Sequence, residues 1–206
     1  MESNKIKAFA QNYFQYISKL LNQLDLNQIA MLIEHIEEAR RNQKTVFFIG
    51  NGGSAATASH MANDFSINMY GKKEGELPLR ALSLTDSSAV LSAIANDSGY
   101  DQVFVQQLRV QYRPGDQLIV ISASGNSPNV VAAAHWVKKN KGMVMSLVGF
   151  DGGELARISD VVIHVKTKKG EYGPVEDIHL ILNHLIVTWM HSKADDSLPL
   201  EGENPC

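Results

Sequence analysis

Among 206 residues there is one cysteine, Cys206, at the end of the chain. It has no partner, so no intrachain disulfide forms, and a reducing, cytoplasmic setting is expected. No segment approaches the roughly 18 uncharged apolar residues that a membrane-spanning helix needs. The first residues, Met1 to Lys5, lead into a mixed polar and apolar pattern and not into a signal peptide. Charge of one sign is scarce as well: 19 Lys and Arg stand against 22 Asp and Glu, for a net charge of −3. That removes any global electrostatic reason to expect a nucleic acid or a membrane as partner. No internal repeat and no linker divides the sequence.

What is present is enough apolar material for a core, 44% of residues, arranged in two alternating periods. Phe9, Tyr13, Ile17 and Leu20 recur at helical spacing over about 4–22. Ile29, Leu32, Ile33 and Ile36 do so over 26–41, with a break near Asp25. Thr45 to Ile49 then reads as a strand buried on both faces, broken by a glycine-rich turn and followed by an Ala-rich helix to about Asn68. Further strands are expected at Arg80–Leu84, Gln117–Ile121, Met143–Val148 and Asp160–Val165. Helices are expected at Ser87–Ala95, Val103–Val110, Pro128–Lys139, Gly153–Ile158 and 175–190, and a polar loop at Gly71–Pro78. This alternation predicts an α/β fold: a three-layer αβα sandwich on a central parallel sheet of about five strands, preceded by N-terminal helices. A single domain over 1–191 is expected, with 192–206 a disordered tail.

In such sheets ligands bind at the carboxyl ends of the strands, near the point where strand order reverses. Two strand-to-helix loops stand out there. In Gly50-Asn51-Gly52-Gly53-Ser54 the glycines permit a sharp turn and close approach of an anion to backbone N–H groups at a helix start. Gly50, Gly52 and Ala55 also satisfy a G-x-G-x-x-A dinucleotide pattern. The acidic residue which that pattern wants about 20 residues on has only Asp86 as a candidate, too far along, so no nucleotide cofactor is expected. The second loop, Ser122-Ala123-Ser124-Gly125-Asn126-Ser127, clusters three hydroxyls. It reads equally as a neutral phosphate cradle or as a serine-rich helix cap. Two such loops in one sheet favour a phosphorylated ligand.

His60 and Asp64 are spaced i, i+4 and share a helix face, which suits a metal pair or a base with its partner. His184 lies in an apolar helix with Glu176 and His179 upstream. A lone histidine on a helix is more often solvated or internally satisfied than catalytic, and His179 is read that way.

These loops, with Gly149-Phe150-Asp151-Gly152-Gly153, Ala95-Asn96-Asp97 and Glu176-Asp177-Ile178-His179, resemble the sugar-isomerase (SIS) domains, and within them the phosphoheptose isomerases. The resemblance implies an SIS fold and a homotetramer with sites between subunits. It implies a sugar phosphate as substrate and an aldose–ketose isomerisation, sedoheptulose 7-phosphate to a heptose 7-phosphate, feeding surface-glycan synthesis. Ser54, Ser122, Ser124 and Ser127 would hold the phosphate. Asn51, Gly52, Gly53, Asn96, Asp97, Asn126 and Glu176 would complete the substrate site. His60, Asp64, Glu176 and His184 fall where that family holds a divalent metal, usually zinc, with Asp64 as base and His184 as acid.

Four positions depart from that family. Asp64 replaces a longer Glu, Glu176 replaces Gln, Ala123 replaces Thr, and Asn68 and Met69 stand where a basic residue is expected; Lys72, Lys73 and Arg80 are its candidate substitutes. Glu176 and His184 are also eight residues apart, roughly 12 Å along a regular helix. They meet on one metal only if Glu176 precedes the helix or if two chains meet. The alternative reading is a non-catalytic SIS module that binds a phosphosugar or a protein.

Overall fold

The structure, a computed structural model, describes residues 2–68 and 77–194. Lys72, Lys73, Met69 and most of the expected tail lie outside these. Two helices open the chain, α1 (Glu2–Leu21) and α2 (Leu26–Arg41). Asp25 makes the break between them, because its carboxylate accepts the N–H groups of Asn27 and Gln28 and so caps α2. Five strands follow: β1 (Thr45–Ile49), β2 (Arg80–Ser83), β3 (Gln117–Ser122), β4 (Met143–Gly149) and β5 (Val161–Val165). Between and after them come α3 (Gly53–Asn63), α4 (Ser88–Ser98), α5 (Val105–Gln111), α6 (Pro128–Lys139), α7 (Gly153–Ile158) and α8 (Tyr172–Ala194).

All strand pairs are parallel, in the order β2-β1-β3-β4-β5. Every residue of β1 and β3 is buried, as their unbroken apolar sequence requires, whereas β2 at the edge is half covered. Two cores cover the two faces. One joins α2, α3 and α8 to the sheet through Leu32, Ile36, Met61, Ile178 and Leu182. The other joins α5, α6 and α7 through Leu108, Val130, Val137 and Leu155. This is the expected three-layer sandwich.

Several boundaries differ from the sequence reading, those of α3 and α8 most consequentially. The Ala-rich helix does not run unbroken to Asn68: α3 stops at Asn63 and a π-helical turn, Asp64–Asn68, widens the backbone there. The last helix starts at Tyr172, ahead of Glu176, and continues to Ala194, past the expected start of the tail. Among the described residues no helix is long and apolar enough to cross a membrane.

Candidate active site

Strand order reverses between β1 and β3, so the loops after these two strands face one another across the crevice. The first loop turns as tightly as its glycines suggest. A Cβ at Gly50 would lie 2.5 Å from the Ser54 carbonyl oxygen, and Gly52 adopts φ +54° as the residue before α3. The second loop is held open by the third motif. Gly149 N–H donates to Ala123 O (2.9 Å), Leu155 N–H to Gly125 O (3.0 Å) and Glu154 N–H to Asn126 Oδ1 (2.9 Å). Gly125 (φ +63°) approaches so closely that a Cβ there would stand 2.1 Å from Gly152 O.

The two loops are tied together by a reciprocal amide pair. Asn51 Nδ2 donates to Asn129 Oδ1 (2.9 Å) and Asn129 Nδ2 to Asn51 Oδ1 (2.8 Å), and Tyr100 OH adds a third bond to Asn51 (3.0 Å). Between the loops lies a cavity of about 130 Å³ lined by Asn51, Ser54, Ser122, Ser124, Ser127 and Glu176 among others. It is smaller than the roughly 300–1,000 Å³ of a complete ligand cleft, and so suits one end of a ligand. Ser127 occupies the residue before α6, yet its hydroxyl makes no capping bond. That leaves it available to a ligand, which the helix-cap reading of this loop did not foresee. Among the described residues no Lys or Arg lines this cavity. Glu176 does, and its carboxylate lies against the start of α3: a Cβ on Gly53 would come within 2.3 Å of Oε2.

A second cluster stands further along α3. His60 Nε2 is 3.2 Å from Asp64 Oδ2, and the His60 and His184 rings meet edge to face with centroids 5.1 Å apart. Donor atoms of His60, Asp64 and His184 all lie within 4.8 Å of one another. Two imidazoles and one carboxylate are a donor set that fits a divalent metal. Asp64 is buried where α3 gives way to the π turn, and Asn183 Nδ2 donates to its Oδ2 at 2.8 Å. His179, one turn before Asn183, is fully buried, and that burial pushes its imidazole down to about 4, outweighing the opposing effect of the Val148 backbone.

The loops and the cluster lie along the same pair of helices. Glu176 of α8 sits beside Gly53 of α3, and His184 beside His60, so the two helices run side by side in the same direction. Seven or eight residues of each separate the ends, roughly 10–12 Å. Glu176 is therefore at the loop end and not in the three-residue cluster. Asn96 and Asp97 are exposed at the end of α4 and bond to each other, and Asn126 braces the second loop to α7 without lining the cavity. Arg80 begins β2, paired with Thr45, and thus stands at the opposite end of the sheet from both loops. Asp86, the residue weighed for a nucleotide ribose, accepts a hydrogen bond from Ser59. Sequence reasoning missed Asn129 and Asn183. Asn129 follows Pro128 in an ordinary helix start, and Asn183 carries no signal beyond being polar in an apolar run.

A parallel doubly wound sheet that presents hydroxyls and helix N-termini at its switch point is the architecture of a phosphosugar-binding domain. The sequence profile of the SIS domain matches residues 12–149, and the chain belongs to that family. Within it the chain belongs with the phosphoheptose isomerases. It is 38% identical to the phosphoheptose isomerase of Nitratidesulfovibrio vulgaris over 85% of this chain and 78% of that protein. It is 36% identical to that of Aneurinibacillus thermoaerophilus, over 77% and 80%. The phosphoheptose isomerase structure from Neisseria gonorrhoeae superposes with a TM-score of 0.80 at 28% identity, covering 93% of this chain and all of that one.

Proposed function

We propose that this protein is an aldose–ketose isomerase that converts sedoheptulose 7-phosphate to a heptose 7-phosphate, a precursor for surface-glycan synthesis. The observation that carries the substrate size is the separation of the two ends of the site. An open-chain sugar of seven carbons with its phosphate spans roughly 10 Å, similar to the roughly 10–12 Å of helix that separates the Gly53–Glu176 contact from the His60–His184 contact.

The phosphate end is bound by neutral hydroxyls and backbone N–H groups at the starts of α3 and α6. This places the carbonyl end beside Asp64. As base, Asp64 takes a proton from C1 of the ketose and returns it to C2. As acid and then base, His184 protonates O2 and accepts the proton leaving O1. Atoms balance with no external reductant, because the proton removed from one carbon is restored to the next. His60, Asp64 and His184 would hold zinc, which when bound polarises the two substrate oxygens. Glu176 would join that set only from another chain.

A cytoplasmic homotetramer with sites between subunits is part of the proposal. Phe9, Phe14, Ile181, Leu185 and Trp189 leave large apolar surface exposed on α1 and α8, next to His184, which supports a subunit contact there. The test is a discontinuous assay with sedoheptulose 7-phosphate, with and without added zinc and with a chelator control. Aldose formation that disappears in Asp64→Ala is the expected result. Turnover by Asp64→Ala at the wild-type rate would overturn the assignment. Tight phosphosugar binding without turnover would move the protein to the non-catalytic SIS class.

A further inference from the structure

Asp64 is held by a residue that the proposed chemistry does not use. Asn183 is fully exposed to the core and not at all to solvent, yet it sits between Leu182 and His184 on a helix whose buried face is otherwise largely apolar. Asparagine is a weak helix former, and a buried amide is tolerated only where it is bonded. Only half of this amide is bonded. Nδ2 donates to Asp64 Oδ2 at 2.8 Å, whereas Oδ1 has no hydrogen-bond partner among the described residues. Packing gives no reason for such a side chain here; a leucine would fill the space without an unsatisfied acceptor. The bond to Asp64 is the one evident return.

Asp64 needs that support. It is the first residue past α3, where the backbone widens into the π turn, and it is a short carboxylate whose orientation decides whether it meets His60 and His184. We propose that Asn183 is a positioning residue: its N–H fixes the Asp64 carboxylate so that His60, Asp64 and His184 converge, and it thereby sets metal affinity and turnover. This rests on the function proposed above.

The test uses the full chain and three readings: thermal stability without metal, Zn²⁺ affinity by competition with a chelator, and kcat and KM for sedoheptulose 7-phosphate. Asn183→Leu is expected to match or exceed wild type in metal-free stability. Its Zn²⁺ affinity falls 10–100-fold, as for other groups that orient metal ligands, and kcat falls at unchanged KM. Asn183→Asp has the same shape but repels Asp64, and shows at least the same losses, which covers the case in which the leucine variant does not fold. A purely structural residue would give the opposite pattern, with lower stability and unchanged affinity in the folded protein. Folded Asn183→Leu or Asn183→Asp with Zn²⁺ affinity and kcat within twofold of wild type would overturn the proposal. Wild-type protein that neither binds Zn²⁺ nor isomerises would overturn the function it rests on as well.

Discussion

Replacing Gly125 by alanine tests whether the serine loop depends on its close contact with the Gly149–Gly153 turn. Gly125 has φ +63°, in the left-handed region, where an L residue costs about 1–2 kcal/mol. The new Cβ would also lie 2.1 Å from Gly152 O and 2.8 Å from its carbonyl carbon. Both are backbone atoms, so no side-chain rotation relieves the contact. One loop must move by about 1 Å to restore van der Waals separation. That movement strains the bonds from Gly149 N–H to Ala123 O and from Leu155 N–H to Gly125 O, each worth about 1 kcal/mol net. The sum is about 3 kcal/mol, or a fall in Tm of about 6–12 °C for a domain of this size. Because the loop carries Ser122, Ser124 and Ser127, affinity for inorganic phosphate falls about tenfold or more, equivalent to at least 1.4 kcal/mol. Scanning calorimetry and isothermal titration read the two effects. Gly170→Ala is the control: φ there is +98°, but nothing lies within 4 Å of the added Cβ. It loses only the conformational term and keeps phosphate affinity. A Gly125→Ala protein with wild-type Tm and phosphate affinity would refute the buttressing argument.

Three further outcomes are expected. Asp64→Ala loses about 10²–10⁴-fold in isomerisation rate and keeps its affinity for inorganic phosphate, since Asp64 stands at the other end of the site; product formation followed by NMR checks the first and calorimetry the second. Glu176→Gln removes the carboxylate from a cavity that, among the described residues, no Lys or Arg lines, so phosphate binds about tenfold more tightly at low salt, and the gain shrinks as salt is added. His179 is held down to about 4 in the folded chain, against about 6.5 when unfolded. The unfolded state therefore takes up a proton that the folded state refuses, and stability present above pH 6.5 is lost as pH falls toward 4, by about 3 kcal/mol. Urea unfolding across that range should show this slope, and His179→Leu should flatten it.

The sheet was legible because its strands are short, apolar and separated by helices, so a period of two or a continuous apolar run could be told from a period of 3.6. Pro128 and Asp25 marked helix starts by mechanisms that do not depend on tertiary context. The π turn at Asp64 was not legible, since one extra residue per turn leaves the apolar pattern of Met61, Ala62 and Phe65 almost unchanged. The loops announced themselves through glycine and serine. Their bracing did not, because the Asn51–Asn129 pair joins residues 78 positions apart and Asn183 reaches Asp64 across 119. Polar residues whose partners are that distant look the same in sequence as solvated ones.

The eight-residue interval between Glu176 and His184 is where spacing carries the most information. As ligands of one metal the pair needs either a broken helix or two chains that meet. The helix is regular from Tyr172 onward, so the interval is a true length of roughly 12 Å. A similar length, seven residues or roughly 10 Å, separates Gly53 from His60 on α3, and the two helices run side by side. Under the proposed function, these intervals on neighbouring helices set the distance between the phosphate end and the reacting end. Isomerisation moves a proton between adjacent carbons at one end of a chain held by the other, so that distance is expected to select among sugar phosphates by chain length. A shorter ketose phosphate anchored in the serine cradle would leave its carbonyl short of Asp64, and a binding energy similar to that of the longer sugar would not be converted into rate.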